Sequence, residues 1–180
     1  WPIHVTNAAC LDVGASTGGF TEVLLHLGAQ KVYALDVGHD QLARRLRDDQ
    51  RVVNMEGANI RATTSEQFAE PLDVITVDVS FISLKHVLPK VAKLLRESGK
   101  AVVLIKPQFE VGKTNIKKGV VRDPALHKQV IDAIKALALN HCRLEVDRIR
   151  SGGLKSAMNY NDLVCDIANR HSKVSSCPQM

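Results

Sequence analysis

The chain has 180 residues, 45% of them hydrophobic, a formal net charge of +5 and a pI near 9.1. That length supports one sizeable core and one domain, and the lack of any apolar run of about 18 residues excludes a helical membrane span. The charge leans toward polyanionic partners. Four scattered cysteines (Cys10, Cys142, Cys165, Cys177), with no CxxC pair and no Cys/His metal spacing, argue against structural zinc and fit a reducing, cytoplasmic setting.

At the N-terminus, WPIHVTNAAC lacks the basic-then-apolar layout of a signal peptide, and a chain starting at Trp1 reads as a fragment whose upstream portion is missing. Ala9–Val13 is an apolar run that predicts a first strand, with Cys10 a buried free thiol within it. The glycine loop DVGASTGGF follows, and apolar residues at helical spacing predict a helix over Gly19–Leu27. Lys31–Val37 predicts a second strand. A polar helix is expected near Asp40–Asp49, with Arg44, Arg45 and Arg47 on a solvated face. Arg51–Met55 and Leu72–Val79 read as the third and fourth strands. Leu84, Val87, Leu88, Val91, Leu94 and Leu95 then share one helix face, stopped by Ser98-Gly99, with a kink expected at Pro89.

Lys100–Ile105 is β-branched and nearly all apolar, as a strand covered on both faces should be. Asp123-Pro124 supplies an N-cap acid and a first-turn proline, opening a helix with Leu126, Val130, Ile131, Ile134, Leu137 and Ala138 as its buried stripe. Cys142–Ile149 and Leu163–Ile167 read as two closing strands, and Ser172–Met180 as a polar, frayed tail. The alternation predicts an α/β fold over residues 1–171, a mostly parallel, doubly wound sheet with an antiparallel closing strand.

In open parallel sheets the ligand lies beyond the carboxyl ends of the strands, at the switch in strand order. The glycine loop ends the first strand, so Asp12, Gly14, Ser16, Gly18, Gly19 and Phe20 are candidate cofactor contacts. Its spacing is not the GxGxxG of a dinucleotide site, because Gly14-Ala15-Ser16 brings side chains where pyrophosphate would press. A ligand without phosphates fits better, and S-adenosylmethionine is such a ligand. Asp36, ending the second strand, is suited to both hydroxyls of a nucleoside ribose, a device that NAD sites share. Asn59, beyond the third strand, is placed to face adenine. Asp78 and Lys106 end the neighbouring fourth and fifth strands and should lie side by side; a lysine closing a buried strand needs a partner or a task.

DVGASTGGF, YALDVG, Asn59-Ile60-Arg61, VDVSFISL, LIKPQFEVGK and KGVVRDP together resemble the hemolysin-A-type members of the FtsJ-like RNA ribose methyltransferases, in order from about Cys10 to Pro124. The resemblance implies a Rossmann-like methyltransferase domain acting with S-adenosylmethionine on a ribose 2′-hydroxyl, in ribosomal RNA. It also implies a Lys-Asp-Lys-Glu catalytic set. On that pattern the acid is Asp78 and the second lysine Lys106, while the first lysine would lie upstream of this chain, as would a small S4-like RNA-binding domain. The last acid departs from the family pattern in SGGLKSAMNYNDL, where Asp162 is the nearest substitute. The word hemolysin suggests pore formation, which no amphipathic or transmembrane segment here supports.

In that chemistry Lys106 orients the hydroxyl and accepts its proton late, Asp78 holds the lysine, and no metal is required. The segment after Lys106 carries Lys113, Lys117, Lys118 and Arg122 against Glu110, and is suited to RNA phosphates. Two alternatives stand beside this reading: an RNA-binding or scaffold protein that has lost catalysis, and a nicotinamide-dependent oxidoreductase.

Overall fold

Seven strands pair into one sheet in the computed structural model, which describes residues 3–112, 121–151 and 163–169. The elements are β1 (Ala9–Val13), α1 (Gly19–His26), β2 (Lys31–Asp36), α2 (Arg44–Arg47), β3 (Val52–Glu56), β4 (Leu72–Val77), α3 (Leu88–Leu94), β5 (Leu95–Ile105), α4 (Pro107–Glu110), α5 (Pro124–Cys142), β6 (Leu144–Ser151) and β7 (Leu163–Asn169). Strand order is β3-β2-β1-β4-β5-β7-β6. β1 to β5 run parallel, and β7 is antiparallel to both β5 and β6. The order reverses at β1, whose neighbours are β2 and β4, and a crevice opens there at the carboxyl ends of the strands.

Alternating side chains send each strand's apolar residues to two separate layers. On one face Leu11, Val13, Ile75, Val103 and Ile105 pack with Leu88 and Val91 of α3 and with Val130, Ile134 and Ala138 of α5. On the other, Cys10, Val32, Ala34 and Val74 pack with Leu24 and Leu25 of α1 and with Leu46 of α2. Burial on both faces explains why β1, β2, β4 and the second half of β5 read as nearly unbroken apolar runs.

Four boundaries differ from the sequence expectation. Pro89 makes no kink, because Leu84–His86 is a separate 3₁₀ turn capped by Ser83 and Pro89 falls in the first turn of α3. A first-turn proline lacks only an N–H that has no intrahelical partner anyway. The apolar run does not stay helical to Ser98: Leu95 already pairs with Leu72, and the ladder resumes at Val74–Lys100 after an irregularity. The polar helix shrinks to Arg44–Arg47, since the Glu56 carboxylate takes the N–H groups of Gln41 and Leu42 and Asp40 sits at φ 56. Cys142 belongs to α5, not to a strand; Arg143, at φ 54, ends the helix and β6 begins at Leu144.

Candidate active site

Two glycines of the loop are fixed by space as well as by torsion. Gly14 has φ +84, and a Cβ there would stand 2.2 Å from the carbonyl oxygen of Asp78. Gly18, at φ +100, is the N-cap of α1, and a Cβ there would meet Leu46 at 2.1 Å. Backbone bonds from Gly14 N to Leu35 O (2.8 Å) and from Asp78 N to Val13 O (2.9 Å) tie the loop to both neighbouring strands.

Asp12 is fully buried beneath this loop. Its Oδ2 accepts from Thr21 N (2.9 Å) and Thr21 Oγ1 (2.7 Å), and its Oδ1 accepts from Thr76 Oγ1 (2.9 Å). Burial pushes its pKa up to about 6, against the lowering effect of the threonine hydrogen bonds. With no exposed surface, Asp12 anchors the loop to the start of α1 instead of facing a ligand. Burial likewise pushes the Cys10 thiol up to about 12, so it stays protonated.

A cavity of about 490 Å³ adjoins the loop, and Gly14, Ser16, Asp36, Asn59 and Asp78 stand on its wall. Gly18, Gly19 and Phe20 are not among its lining residues. Asp36 accepts from Ser16 N (2.8 Å) through Oδ2 and from Gly38 N (2.7 Å) through Oδ1, which leaves one lone pair on each oxygen for a ligand. Asn59 accepts from Arg61 N at 3.0 Å, closing its own turn. Val37, 67% exposed, and the buried Ile60 add apolar surface to the wall. The sequence reading missed Val37, although an apolar residue directly after a strand-end acid was a legible signal.

Lys106 and Asp78 meet as expected from neighbouring strand ends, Nζ to Oδ1 at 2.5 Å, with the lysine side chain only 14% exposed. Lys106 Nζ also donates to Ser80 Oγ at 3.1 Å, a partner that strand order alone does not reveal. Arg122 is exposed, whereas Lys113, Lys117, Lys118 and Asp162 lie outside the described residues. The arginine cluster of α2 is engaged in ion pairs, Arg44 with Asp48, Arg45 with Glu22, and Arg47 with Asp40 and Glu56. Among the described residues no three His, Cys, Asp or Glu side chains gather to hold a metal, and no helix is long and apolar enough to cross a membrane.

A parallel sheet with its order reversed over a glycine loop, an acid ending β2, and a lysine–aspartate pair ending β4 and β5 together define an α/β methyltransferase domain. The comparisons make the class specific: residues 2–167 match the FtsJ-like methyltransferases, and the chain belongs to that family. It is 49% identical to the 16S/23S rRNA (cytidine-2′-O)-methyltransferase TlyA of Mycobacterium tuberculosis over 73% of this chain and 50% of that protein. It is 48% identical to Hemolysin A of Brachyspira hyodysenteriae over 72% of this chain and 55% of that one. A crystal structure described as a candidate hemolysin from Lactococcus lactis superposes with a TM-score of 0.87 at 36% identity, covering 93% of this chain and 80% of that one. The chain spans about half the length of the curated relatives it matches.

Proposed function

We propose that this chain transfers a methyl group from S-adenosylmethionine to a ribose 2′-hydroxyl of ribosomal RNA, with a cytidine ribose as the acceptor, in the cytoplasm. The observation that carries this reading is the Lys106–Asp78 pair, whose acid forms part of the wall of the glycine-loop cavity.

The cavity suits the cofactor. Its volume of about 490 Å³ falls in the usual range for small-molecule sites, roughly 300–1,000 Å³. Among the described residues its wall carries two carboxylates, Asp36 and the Lys106-paired Asp78, and no lysine or arginine. That charge pattern favours a cationic ligand without phosphates and disfavours the pyrophosphate of a nicotinamide dinucleotide. Asp36 would hold the ribose hydroxyls through its remaining lone pairs, and Val37 and Ile60 would cover a flat base. The bound cofactor supplies an electrophilic methyl on a sulfonium.

The protein's own part is alignment and proton removal. Lys106 would hold the 2′-oxygen in line with the methyl, where effective molarity supplies much of the rate. The 2′-oxygen would gain the methyl as the methyl–sulfur bond of the cofactor breaks and S-adenosylhomocysteine leaves, and the hydroxyl proton would pass through the Lys106–Asp78 pair to water. Ser80, the second partner of Nζ, restricts the directions that the lysine can take.

The test uses the full-length protein with isotopically labelled cofactor and rRNA, with ribose methylation mapped by mass spectrometry. Lys106→Ala should lower transfer by about 100-fold or more while leaving S-adenosylhomocysteine affinity intact. Transfer at the parent rate by that variant would overturn the mechanism. Cofactor binding without any transfer by the unaltered protein would favour a scaffold role.

A further inference from the structure

The segments leaving β4 and β5 each carry one member of the catalytic pair, and they are joined again away from the cofactor cavity. Glu110, at the end of α4, accepts from Ser83 Oγ at 2.6 Å and from Leu84 N at 2.8 Å. Between the two polar joints the rings of Phe81 and Phe109 meet, with centroids 5.2 Å apart and planes tilted by 52°. The stretch from Asp78 to Ser83 is therefore an arch joined to the segment from Lys106 to Glu110 at both ends, with an exposed ring contact at its middle. Phe81 sits within the arch at φ 64, a left-handed conformation uncommon for a bulky residue, and its ring is largely exposed.

We propose that Glu110 is a positioning residue for methyl transfer: by fixing the Ser83–Leu84 end of the arch, it sets where Asp78 and Ser80 meet Lys106. The inference rests on the methyltransferase reading and deepens it. Glu110 does not itself line the cofactor cavity, but Asp78 to Ile82 of the arch do, so a looser arch should cost more in kcat, where the pair acts, than in cofactor affinity. Its half-buried carboxylate makes two acceptor contacts, each of which a glutamine can replace. The amide oxygen accepts from Leu84 N, and the amide nitrogen donates to Ser83 Oγ once the hydroxyl rotates. A carboxylate that acted as an acid or base would not tolerate that exchange.

Glu110→Ala, Glu110→Gln and Ser83→Ala, made in the full-length protein, test this. Glu110→Ala should lower kcat by about tenfold to 100-fold, the scale of an ångström-level misplacement, with a distinctly smaller loss of S-adenosylhomocysteine affinity. Glu110→Gln should recover most of kcat, and Ser83→Ala should fall between the two. Parent-level kcat in Glu110→Ala would overturn the inference. So would a Glu110→Gln variant as impaired as Glu110→Ala, or loss of cofactor affinity in step with kcat. If the unaltered protein transfers no methyl group, the functional reading fails, and the Nζ resonance of Lys106 in ¹⁵N-lysine-labelled protein decides the inference. That resonance is assigned by its loss in Lys106→Arg. A shift in Glu110→Ala that Glu110→Gln reverses supports the proposal, and an unmoved resonance overturns it.

Discussion

A methyl group added at Gly14 would press on the Asp78 carbonyl oxygen from 2.2 Å, and the residue would also have to hold φ +84. Gly14→Ala should therefore destabilise the fold by about 2 kcal/mol or more and abolish S-adenosylhomocysteine binding. Gly19→Ala is the matched control: a Cβ there meets nothing within 4 Å, and stability and affinity should stay at parent level. Urea unfolding and ligand titration read both variants. Asp12 gives a pH signature. Its folded pKa, about 6, lies above its unfolded value, so its contribution to stability is fully present below about pH 4 and is lost as pH rises through 6. The loss is on the order of 3 kcal/mol, and Asp12→Asn, which can keep the contacts to Thr21 and Thr76, should remove that slope from a series of urea midpoints. The sequence showed Asp12 as part of a ligand loop. It could not show the burial, because one partner, Thr76, comes from a strand 64 residues away.

At the scale of elements, the buried strands were legible because covering both faces leaves only apolar residues to choose from, and the N-cap of α5 was legible because Asp123-Pro124 is a local signal. What was not legible depended on distant partners. The segment 40–49 has a helical composition, yet Glu56 on β3 claims its first N–H groups. Those hydrogen bonds, that from Asn54 foremost, hold the Glu56 carboxyl well below its ordinary range, at about 2. Its stabilising contribution is present above the unfolded carboxyl range and is lost as pH falls toward 2. Glu56→Gln should speed amide hydrogen exchange at Gln41 and Leu42 above that range and leave the core strands protected. Pro89 reads as an interior helix breaker until the 3₁₀ turn before it is seen. Pro89→Ala should change stability by less than about 1 kcal/mol, against about 3 for relief of a true interior proline, and chemical denaturation measures the difference.

Across the whole molecule, two ligands are expected to share one crevice while answering to different physics. Among the described residues the glycine-loop cavity is walled by neutral groups and two carboxylates, so a small ligand binding there should release few counterions. RNA carries a condensed counterion layer, and each phosphate neutralised by a lysine or arginine returns ions to bulk solution. A chain with a net charge of +5 can exploit that release, and the sequence places Lys113, Lys117, Lys118 and Arg122 within the 16 residues after Lys106. If those side chains hold about four phosphates, log affinity for single-stranded RNA should fall with log salt at a slope of about −3, roughly 50-fold between 50 and 200 mM. The affinity for S-adenosylhomocysteine should stay nearly constant over the same range. Replacing the four cations with alanine should flatten the RNA slope toward zero and leave the cofactor curve untouched. A parent RNA slope near zero would show that phosphate contacts do not hold the substrate, and recognition would then have to come from the bases and the 2′-hydroxyl.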